Sequence, residues 1–295
     1  MRIMVLFGGE SEERAVSLRS GERVVSALQA HGEEVEGIDL IGMPSPELLA
    51  RMREQDAVFL ALHGGVGEDG TLQAFLEENG IFHYTGSGVR ASRLAMEKAA
   101  AKRAVSVLGV PVAPGCVWQA GEPFPDLQPP LVLKPLCGGS SVGLRMISDT
   151  DTCRELSFTQ PVLCEGYLPG REYSVGVLTG RALPPVEIRP QGGAYDYERK
   201  YTVGATEELC PAPVPPWKRA ELQNLALLCF AALGLRDYAR VDFKEDAAGR
   251  PVFLEANTLP GMTQTSLLPL AAAAEGIGYG DLCCRMAMLA AERKC

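Results

Sequence analysis

The clearest chemistry in the sequence lies in two short runs, residues 240–243 (Arg-Val-Asp-Phe) and residues 253–257 (Phe-Leu-Glu-Ala-Asn). Polar and apolar residues alternate in both runs, and residues i and i+2 of a strand share a face. A turn-like Ala-Ala-Gly-Arg segment separates them. A hairpin centred on that segment predicts two cross-strand pairs: Asp242 with Glu255, and Arg240 with Asn257.

These four side chains suit phosphate chemistry that depends on a metal. Asp242, Glu255 and Asn257 offer hard oxygen ligands, which Mg²⁺ prefers and usually shares with substrate phosphates. Arg240 could neutralise charge that builds up on a transferred phosphoryl group. A solvated hairpin face with a surface ion pair fits the same residues. The neutral Asn and the Pro-Gly turn at 260–261 favour the metal site.

A glycine-rich segment at 138–143 follows a predicted strand at 131–133. It begins like a Walker loop but lacks the final Lys-Ser/Thr. Its small residues still expose backbone N–H groups, and two serine hydroxyls could donate to phosphate; a plain hairpin turn fits equally well. The segment also matches Gly-x-Ser-x-Gly of hydrolases, which requires a downstream histidine. All three histidines lie upstream, so that chemistry is nearly excluded.

The elements that would position these residues change character along the chain. Three apolar strands, predicted at 2–7, 35–40 and 57–62, alternate with helical patterns, and glycine-rich loops follow strands. This order predicts a doubly wound parallel sheet of the α/β class, with ligands at the carboxyl ends of its strands.

Beyond the first sheet, the sequence predicts mixed elements. We expect one helix over 91–107, a proline-rich connector at 111–130, strands at 142–147 and 162–165, and a helix at 222–233. The stretch 184–216 reads as irregular, and an irregular segment this long is usually a functional lid or a disordered insert.

Composition limits the classes of function. The 295 residues carry a net charge of −9, with 46% hydrophobic and 22% charged residues. These values are ordinary for a globular protein of one to three domains. The sequence has no dense Lys/Arg stripe of the kind that binds nucleic acid. No apolar run approaches the ~20 residues of a membrane span. Nine cysteines without a Cys-x-x-Cys pair, and no secretory signal, predict a reduced cytoplasmic protein without structural zinc.

Taken together and in order, the motifs resemble the D-alanine–D-alanine ligase family of the ATP-grasp superfamily. The resemblance covers nearly the whole chain and rests on these pieces: 8–17, 62–71, 84–88, Lys98, 134–143, 195–201, 240–242 and 255–263.

The resemblance implies a fold of combined α/β and α+β character. An N-terminal doubly wound domain (1–88) would precede a central ATP-grasp domain (89–172) and a C-terminal ATP-grasp domain (173–295), and the last two would enclose ATP. The implied reaction joins two D-alanines through an acyl phosphate, releases ADP and phosphate, and serves peptidoglycan synthesis. The implied cofactors are ATP and two Mg²⁺ or Mn²⁺, with room for a monovalent cation, and the implied assembly is a homodimer.

The resemblance also implies roles for individual residues. The implied ATP site comprises Lys98, Lys134, Ser140, Ser141, Glu165, Tyr167, Leu168, Glu172 and Lys200. The implied D-alanine site comprises Glu13, His63, Tyr201, Arg240, Gly261, Ser266 and Leu267. Asp242, Glu255 and Asn257 would bind the metals. The implied catalytic residues are Glu13, Ser140, Tyr201, Arg240 and Gly261, of which Arg240 and the Gly261 N–H would stabilise the oxyanion.

Several of these residues admit simpler roles. Lys98 reads from sequence alone as a surface helix lysine, Glu13 as an acid at a helix N-terminus, and His63 equally well as a structural histidine. The segment 195–201 would be a lid over the acyl phosphate, with Tyr201 favouring an amine acceptor. Two other functions stay open: a related ligase that uses D-lactate or D-serine, and a nucleotide-binding protein without catalysis.

Overall fold

The computed structural model describes residues 1–119, 121–138, 143–148, 158–190 and 206–293. Its first part is a three-stranded parallel sheet in the order β2-β1-β3. Its elements are β1 (Arg2–Gly8), α1 (Arg14–Ala30), β2 (Glu34–Leu40), α2 (Pro46–Glu54), β3 (Ala57–Leu60) and α3 (Thr71–Glu78), with a 3-10 turn at Gly65–Gly67. Parallel pairing through helical connections confirms the α/β class predicted here.

The second part is a four-stranded antiparallel sheet in the order β4-β7-β5-β6. Two helices precede it, and the elements are α4 (Val89–Met96), α5 (Lys98–Val107), β4 (Gly115–Trp118), β5 (Leu131–Pro135), β6 (Arg145–Ile147) and β7 (Val162–Gly166). The single helix predicted over 91–107 is wrong. Glu97 leaves the helical region with ψ 102°, and its carboxylate accepts the backbone N–H groups of Ala99 and Ala100, so it begins a new helix.

The third part is a six-stranded antiparallel sheet with the path β11-β10-β8-β12-β13 and β9 paired to β8. Its elements are β8 (Glu172–Leu178), β9 (Arg181–Ala182), β10 (Val186–Pro190), β11 (Thr206–Leu209), α6 (Pro216–Ala232), β12 (Tyr238–Glu245), β13 (Pro251–Asn257), α7 (Leu267–Ala274) and α8 (Tyr279–Ala291).

The stretch 184–216, predicted to be irregular, contains β10 and β11, the two strands at one end of this sheet. Proline obscured the strand pattern, since Pro184 and Pro185 stand just before β10 and Pro190 ends it. Proline is tolerated at strand ends and at sheet edges because the missing N–H is least needed there.

The six-stranded sheet separates an apolar core from a polar cleft. Val175, Val241 and Phe243 are completely buried in one core on the side of α5 and α6. Ser174 and Asp242, which alternate with them along the strands, lie on the opposite face. The sheet therefore holds polar side chains on a rigid, well-packed base.

The C-terminal helix returns to the N-terminal sheet. α8 packs against α1 and β3, and Leu282 and Met286 share one core with Ile3 and Phe59. The division of the chain at residues 88 and 172 stays a prediction. In the described parts of the chain, no helix is both long and apolar enough to span a bilayer.

Candidate active site

The hairpin of β12 and β13 has the predicted register. Asp242 lies opposite Glu255, and Arg240 lies opposite Asn257. The Arg240 guanidinium donates to Asp242 at 2.8 Å (Nη2 to Oδ2) and 3.0 Å (Nε to Oδ1). Ser174 on β8 donates to the same carboxylate at 2.7 Å. These partners fix the Asp242 side chain at the base of the cleft.

A bulge in this hairpin corrects the predicted alternation at Leu254. The register shifts between Asp242 and Phe243, so Phe243 faces Phe253. Leu254 was expected on the face of the sheet away from Glu255. It instead packs in a small cluster with Leu168 and two further apolar residues, Ala113 and Val252. A bulge turns two successive side chains to one face, which adds an apolar wall beside the acidic residues.

One open cleft brings most of the predicted substrate residues together. Its walls include these predicted residues: Glu13, His63, Arg240, Asp242, Glu255, Asn257, Gly261, Ser266 and Leu267. A smaller cleft shares Glu255 and Asn257 with it and extends to Lys98 and Gly138. The two clefts therefore form one continuous site across the face of the hairpin.

The first of these residues, Glu13, stands immediately before α1. Its side chain makes no capping hydrogen bond to the helix. A Cβ added at Gly64 would lie 2.8 Å from the Glu13 Oε2 atom, so the glycine lets this carboxylate approach the end of β3 closely. This placement turns Glu13 toward the cleft, beyond the simpler role of a helix N-terminal acid.

His63 is buried and hydrogen-bonded through both ring nitrogens. Nδ1 lies 3.1 Å from the carbonyl oxygen of Leu259, and Nε2 lies 3.0 Å from the Ser20 hydroxyl. Burial lowers the pKa of His63 against the opposing effect of Glu13. His63 thus lines the cleft and also has a structural partner on each side, so both predicted roles describe part of its environment.

Gly261 lies in the segment that connects β13 to α7. A Cβ at this position would come within 2.7 Å of the Ser266 hydroxyl, which also accepts the backbone N–H of Thr263 at 2.9 Å. A side chain at residue 261 would therefore displace Ser266. The close approach keeps the backbone of Gly261 exposed to the cleft.

Glu68 is an acid that the sequence did not single out for a site. It lines both clefts, and its Oε2 accepts the backbone N–H of Gly64 at 2.8 Å. Burial raises the pKa of Glu68 to about 8, and the nearby Glu13 adds to the shift. We call Glu13, Glu68, Asp242 and Glu255 around Arg240 the acid end of the cleft.

Lys98 is buried, so the surface lysine expected from sequence alone is wrong. Its Nζ donates to the carbonyl of Gly138 and lies 3.7 Å from the Glu255 Oε2. It joins the acid end to the segment that begins the glycine loop.

Two more lysines meet at one glutamate. Lys134 Nζ lies 2.5 Å and Lys102 Nζ 2.9 Å from the two oxygens of Glu165. Burial raises the pKa of Glu165, but the two ammonium groups outweigh it and hold that pKa below its usual range. Burial lowers the pKa of Lys102 to about 8. We call Lys98, together with Lys102 and Lys134 at Glu165, the lysine end.

Lys102 is the functional candidate that sequence reasoning missed at this end. It is a buried helix residue that also donates to the carbonyl of Phe253 at 3.0 Å. The signal available in the sequence was its position four residues after Lys98, one turn along the same helix face.

Three of the remaining predicted ATP residues, Tyr167, Leu168 and Glu172, lie among the described residues. Tyr167 is partly exposed and its N–H donates to Pro130 at 3.0 Å, whereas Leu168 is buried. Glu172 pairs with Lys244 at 3.2 Å. Ser140, Ser141, Lys200, Tyr201 and the predicted lid segment 195–201 lie outside the described residues.

Comparisons with known proteins match this architecture. Residues 122–288 match the family model described as D-ala D-ala ligase C-terminus. A D-alanine–D-alanine ligase from Granulibacter bethesdensis is 45% identical over 294 residues, which cover 96% of this chain and 95% of that protein.

Solved structures give the same result. The D-alanine–D-alanine ligase of Bacillus anthracis superposes with a TM-score of 0.86 at 34% identity, covering 100% of this chain and 98% of that one. Its complex with ATP gives 0.83 at 32% identity with the same coverage. A D-Ala:D-Ser ligase from Enterococcus faecalis gives 0.83 at 27% identity, covering 98% and 99% of the two chains. The family match and the full-length relatives show that this chain belongs to the D-alanine–D-alanine ligase family.

Proposed function

We propose that the protein joins two D-alanines to D-alanyl-D-alanine at the expense of ATP, for peptidoglycan synthesis. The observation that carries the proposal is the single cleft in which Arg240, Gly261 and Glu13 face the acid pair of the hairpin. The carboxylate of the first D-alanine would take the γ-phosphoryl group of ATP to form an acyl phosphate. The amine of the second D-alanine would then attack that carbonyl, and phosphate would leave.

The charges along the cleft suit the two substrates. Lys98 and Lys134 would hold the ATP phosphates as point charges. The apolar cluster of Leu168 and Leu254 would face the adenine ring of ATP. Glu172, which begins strand β8, would bind the ribose hydroxyls. Glu13 would pair with the ammonium group of the first D-alanine.

The donor set on the hairpin fits a divalent metal. Asp242, Glu255 and Asn257 supply two carboxylates and one amide. Among the described residues, no group of three or more His, Cys, Asp or Glu side chains could hold a metal ion. The two carboxylates and the amide of the hairpin would leave coordination positions on the metal for phosphate oxygens, as Mg²⁺ usually requires. Bound there, Mg²⁺ or Mn²⁺ would offset the negative charge of the phosphates.

Side-chain and backbone groups of the protein would stabilise the reacting carbonyl and bind the second D-alanine. Arg240 lies beside Asp242 at the base of the cleft, and Gly261 presents backbone at its rim. A guanidinium and an N–H would stabilise the oxyanion of the tetrahedral intermediate. Ser266 and Leu267 begin α7 and would contact the second D-alanine. Ser140 and Tyr201 would join Glu13 by hydrogen bonds as the lid closes and excludes water.

The substrate dependence of phosphate release tests this function. Purified protein with ATP, Mg²⁺ and D-alanine should release phosphate and form the dipeptide. Phosphate release no greater than with L-alanine would refute the proposal. ATP binding without turnover would instead support a non-catalytic nucleotide-binding protein.

The acceptor is the part of the function most open to alternatives. The structural likeness to a D-Ala:D-Ser ligase favours testing D-serine beside D-alanine. D-Lactate should give no depsipeptide, because Lys200 and Tyr201 resemble the pair of amine-using relatives. A depsipeptide product would overturn that role for Tyr201.

We further propose that the protein works in the cytoplasm, as a homodimer. Support for the compartment comes from its thiols: all seven cysteines in the described parts of the chain are free. Unpaired thiols are typical of reducing compartments.

A further inference from the structure

Ser20 is a buried hydroxyl on α1 whose partners lie elsewhere in the chain. It has no exposed surface. Its Oγ lies 3.0 Å from His63 Nε2 and accepts the backbone N–H of Met262 at 3.2 Å. A serine inside a helix usually faces solvent or bonds back to its own helix. Ser20 instead joins the end of β3 to the segment before α7.

The direction of each hydrogen bond follows from the groups involved. The carbonyl of Leu259 can only accept, so Nδ1 of His63 must carry the proton that it shares with Leu259. In the neutral ring, Nε2 is then an acceptor. The Ser20 hydroxyl therefore donates to Nε2, and its oxygen remains free to accept the N–H of Met262.

This chain of hydrogen bonds holds the backbone on both sides of Gly261. Leu259 is tied to His63, and Met262 is tied to Ser20 and, through its carbonyl, to the hydroxyl of Tyr279 at 2.7 Å. The space beside Gly261 is closed by Ser266. The peptide plane of Gly261 is thus fixed from several directions.

We infer that Ser20 is a positioning residue: through His63 and Met262 it aims the backbone N–H of Gly261 at the reacting carbonyl. The inference rests on the proposed function, in which that N–H meets the oxyanion. A donor stabilises an oxyanion only when it is already in place. A displacement of about 1 Å costs about 100-fold in rate.

The experiment compares Ser20→Ala with Ser17→Ala. Ser17 is a matched control, because it lies on the same helix, is equally buried, donates to the carbonyl of Ala61 at 2.7 Å and accepts the N–H of Gly8 at 2.8 Å. Both variants lose two buried hydrogen bonds. Only Ser20→Ala releases the segment 259–262.

We expect Ser20→Ala to lower kcat by about 10- to 100-fold while KM for ATP stays unchanged. Ser17→Ala should lose comparable thermal stability and keep its kcat. Backbone hydrogen exchange at 259–263 should accelerate in Ser20→Ala only. Wild-type kcat in Ser20→Ala, an equal loss in Ser17→Ala, or unchanged exchange at 259–263 would each overturn the inference.

The two proposals fail in different ways. If the wild-type protein releases no phosphate with D-alanine, the proposed ligase function fails, and with it the oxyanion role of Gly261. If the wild type is active and Ser20→Ala matches it, the ligase function stands and only the role of Ser20 is refuted.

Discussion

The acid end and the lysine end of the cleft treat buried charge in opposite ways. At the acid end, Glu13, Glu68, Asp242 and Glu255 line one cleft with Arg240, and burial raises the pKa of Glu68 to about 8. At the lysine end, two ammonium groups, those of Lys102 and Lys134, contact Glu165, Lys98 adds a third near Glu255, and burial lowers the pKa of Lys102 to about 8. Each end thus weakens the charge that it holds in excess.

The difference shows what each end still requires. The acid end keeps a surplus of carboxylates, which a cation would balance, and the lysine end keeps a surplus of ammonium groups, which a phosphate would balance. Lys98 and Glu255 connect the ends at 3.7 Å. A metal–nucleotide complex carries both signs of charge in adjacent positions, so it complements both ends at once.

The largest effect should follow from Glu255→Ala at the acid end. We expect kcat to fall by about 100-fold or more, the scale for losing a group that stabilises the transition state, with the fold intact. Phosphate release at saturating ATP, Mg²⁺ and D-alanine measures the change. Asp246→Ala is the control, since Asp246 lies on the same hairpin but pairs with Arg250 in its turn. Near-wild-type activity in Glu255→Ala would mean that the metal site is misplaced.

At the lysine end, Lys134→Met should raise KM for ATP by about 10- to 100-fold. A hydrogen bond to a charged group is worth about 1.5–3 kcal/mol. KM for D-alanine should change little, because Lys134 lies beside Glu165 rather than Arg240. Lys218→Met removes an equally cationic buried lysine that pairs with Glu245 outside the cleft. If both variants raised KM for ATP equally, the lysine end would have no special role.

The smallest effect concerns stability and Glu68→Gln. Because the folded-state pKa of Glu68 is raised to about 8, its stabilising contribution is complete below the ordinary carboxyl pKa of 4.5 and is lost as the pH rises toward 8. We expect Glu68 to contribute a decline of about 1 kcal/mol per pH unit to the free energy of unfolding between pH 5 and 8, and Glu68→Gln to remove that contribution from the wild-type slope. Urea unfolding measures it, with the exposed Glu78→Gln as control. A slope in Glu68→Gln equal to that of the wild type would refute this contribution of Glu68.

The parts of the site that alternate locally along the chain could be predicted from sequence. The pairing of Asp242 with Glu255 follows from two alternating strands and a turn between them, and the structure has that register. The prediction for Leu254 was wrong because a bulge is a tertiary adjustment that the alternation of polar and apolar residues does not show. Strands β10 and β11 were hidden by proline, whose position at strand ends the composition alone does not reveal.

Ser20, Glu68 and Lys102 could not be assigned from sequence for a different reason. Each is a polar residue whose role depends on a partner supplied by folding. Ser20 and Met262 are 242 residues apart, and Lys102 and Phe253 are 151 apart. Periodicity indicates which side of an element is buried, but it does not say which distant backbone group meets a buried hydroxyl or ammonium.

The return of α8 to the first sheet sets the order in which the molecule can be completed during synthesis. Ile3 and Phe59 leave the ribosome early, yet their core partners Leu282 and Met286 are made much later. Domains generally fold as units as they emerge, but here one face of the first sheet stays uncovered until α8 has been made. Ser20 meets Met262, and His63 meets Leu259, only after residues 259–262 have been made. The growing chain therefore acquires this part of its active-site geometry only after both larger sheets have been synthesised.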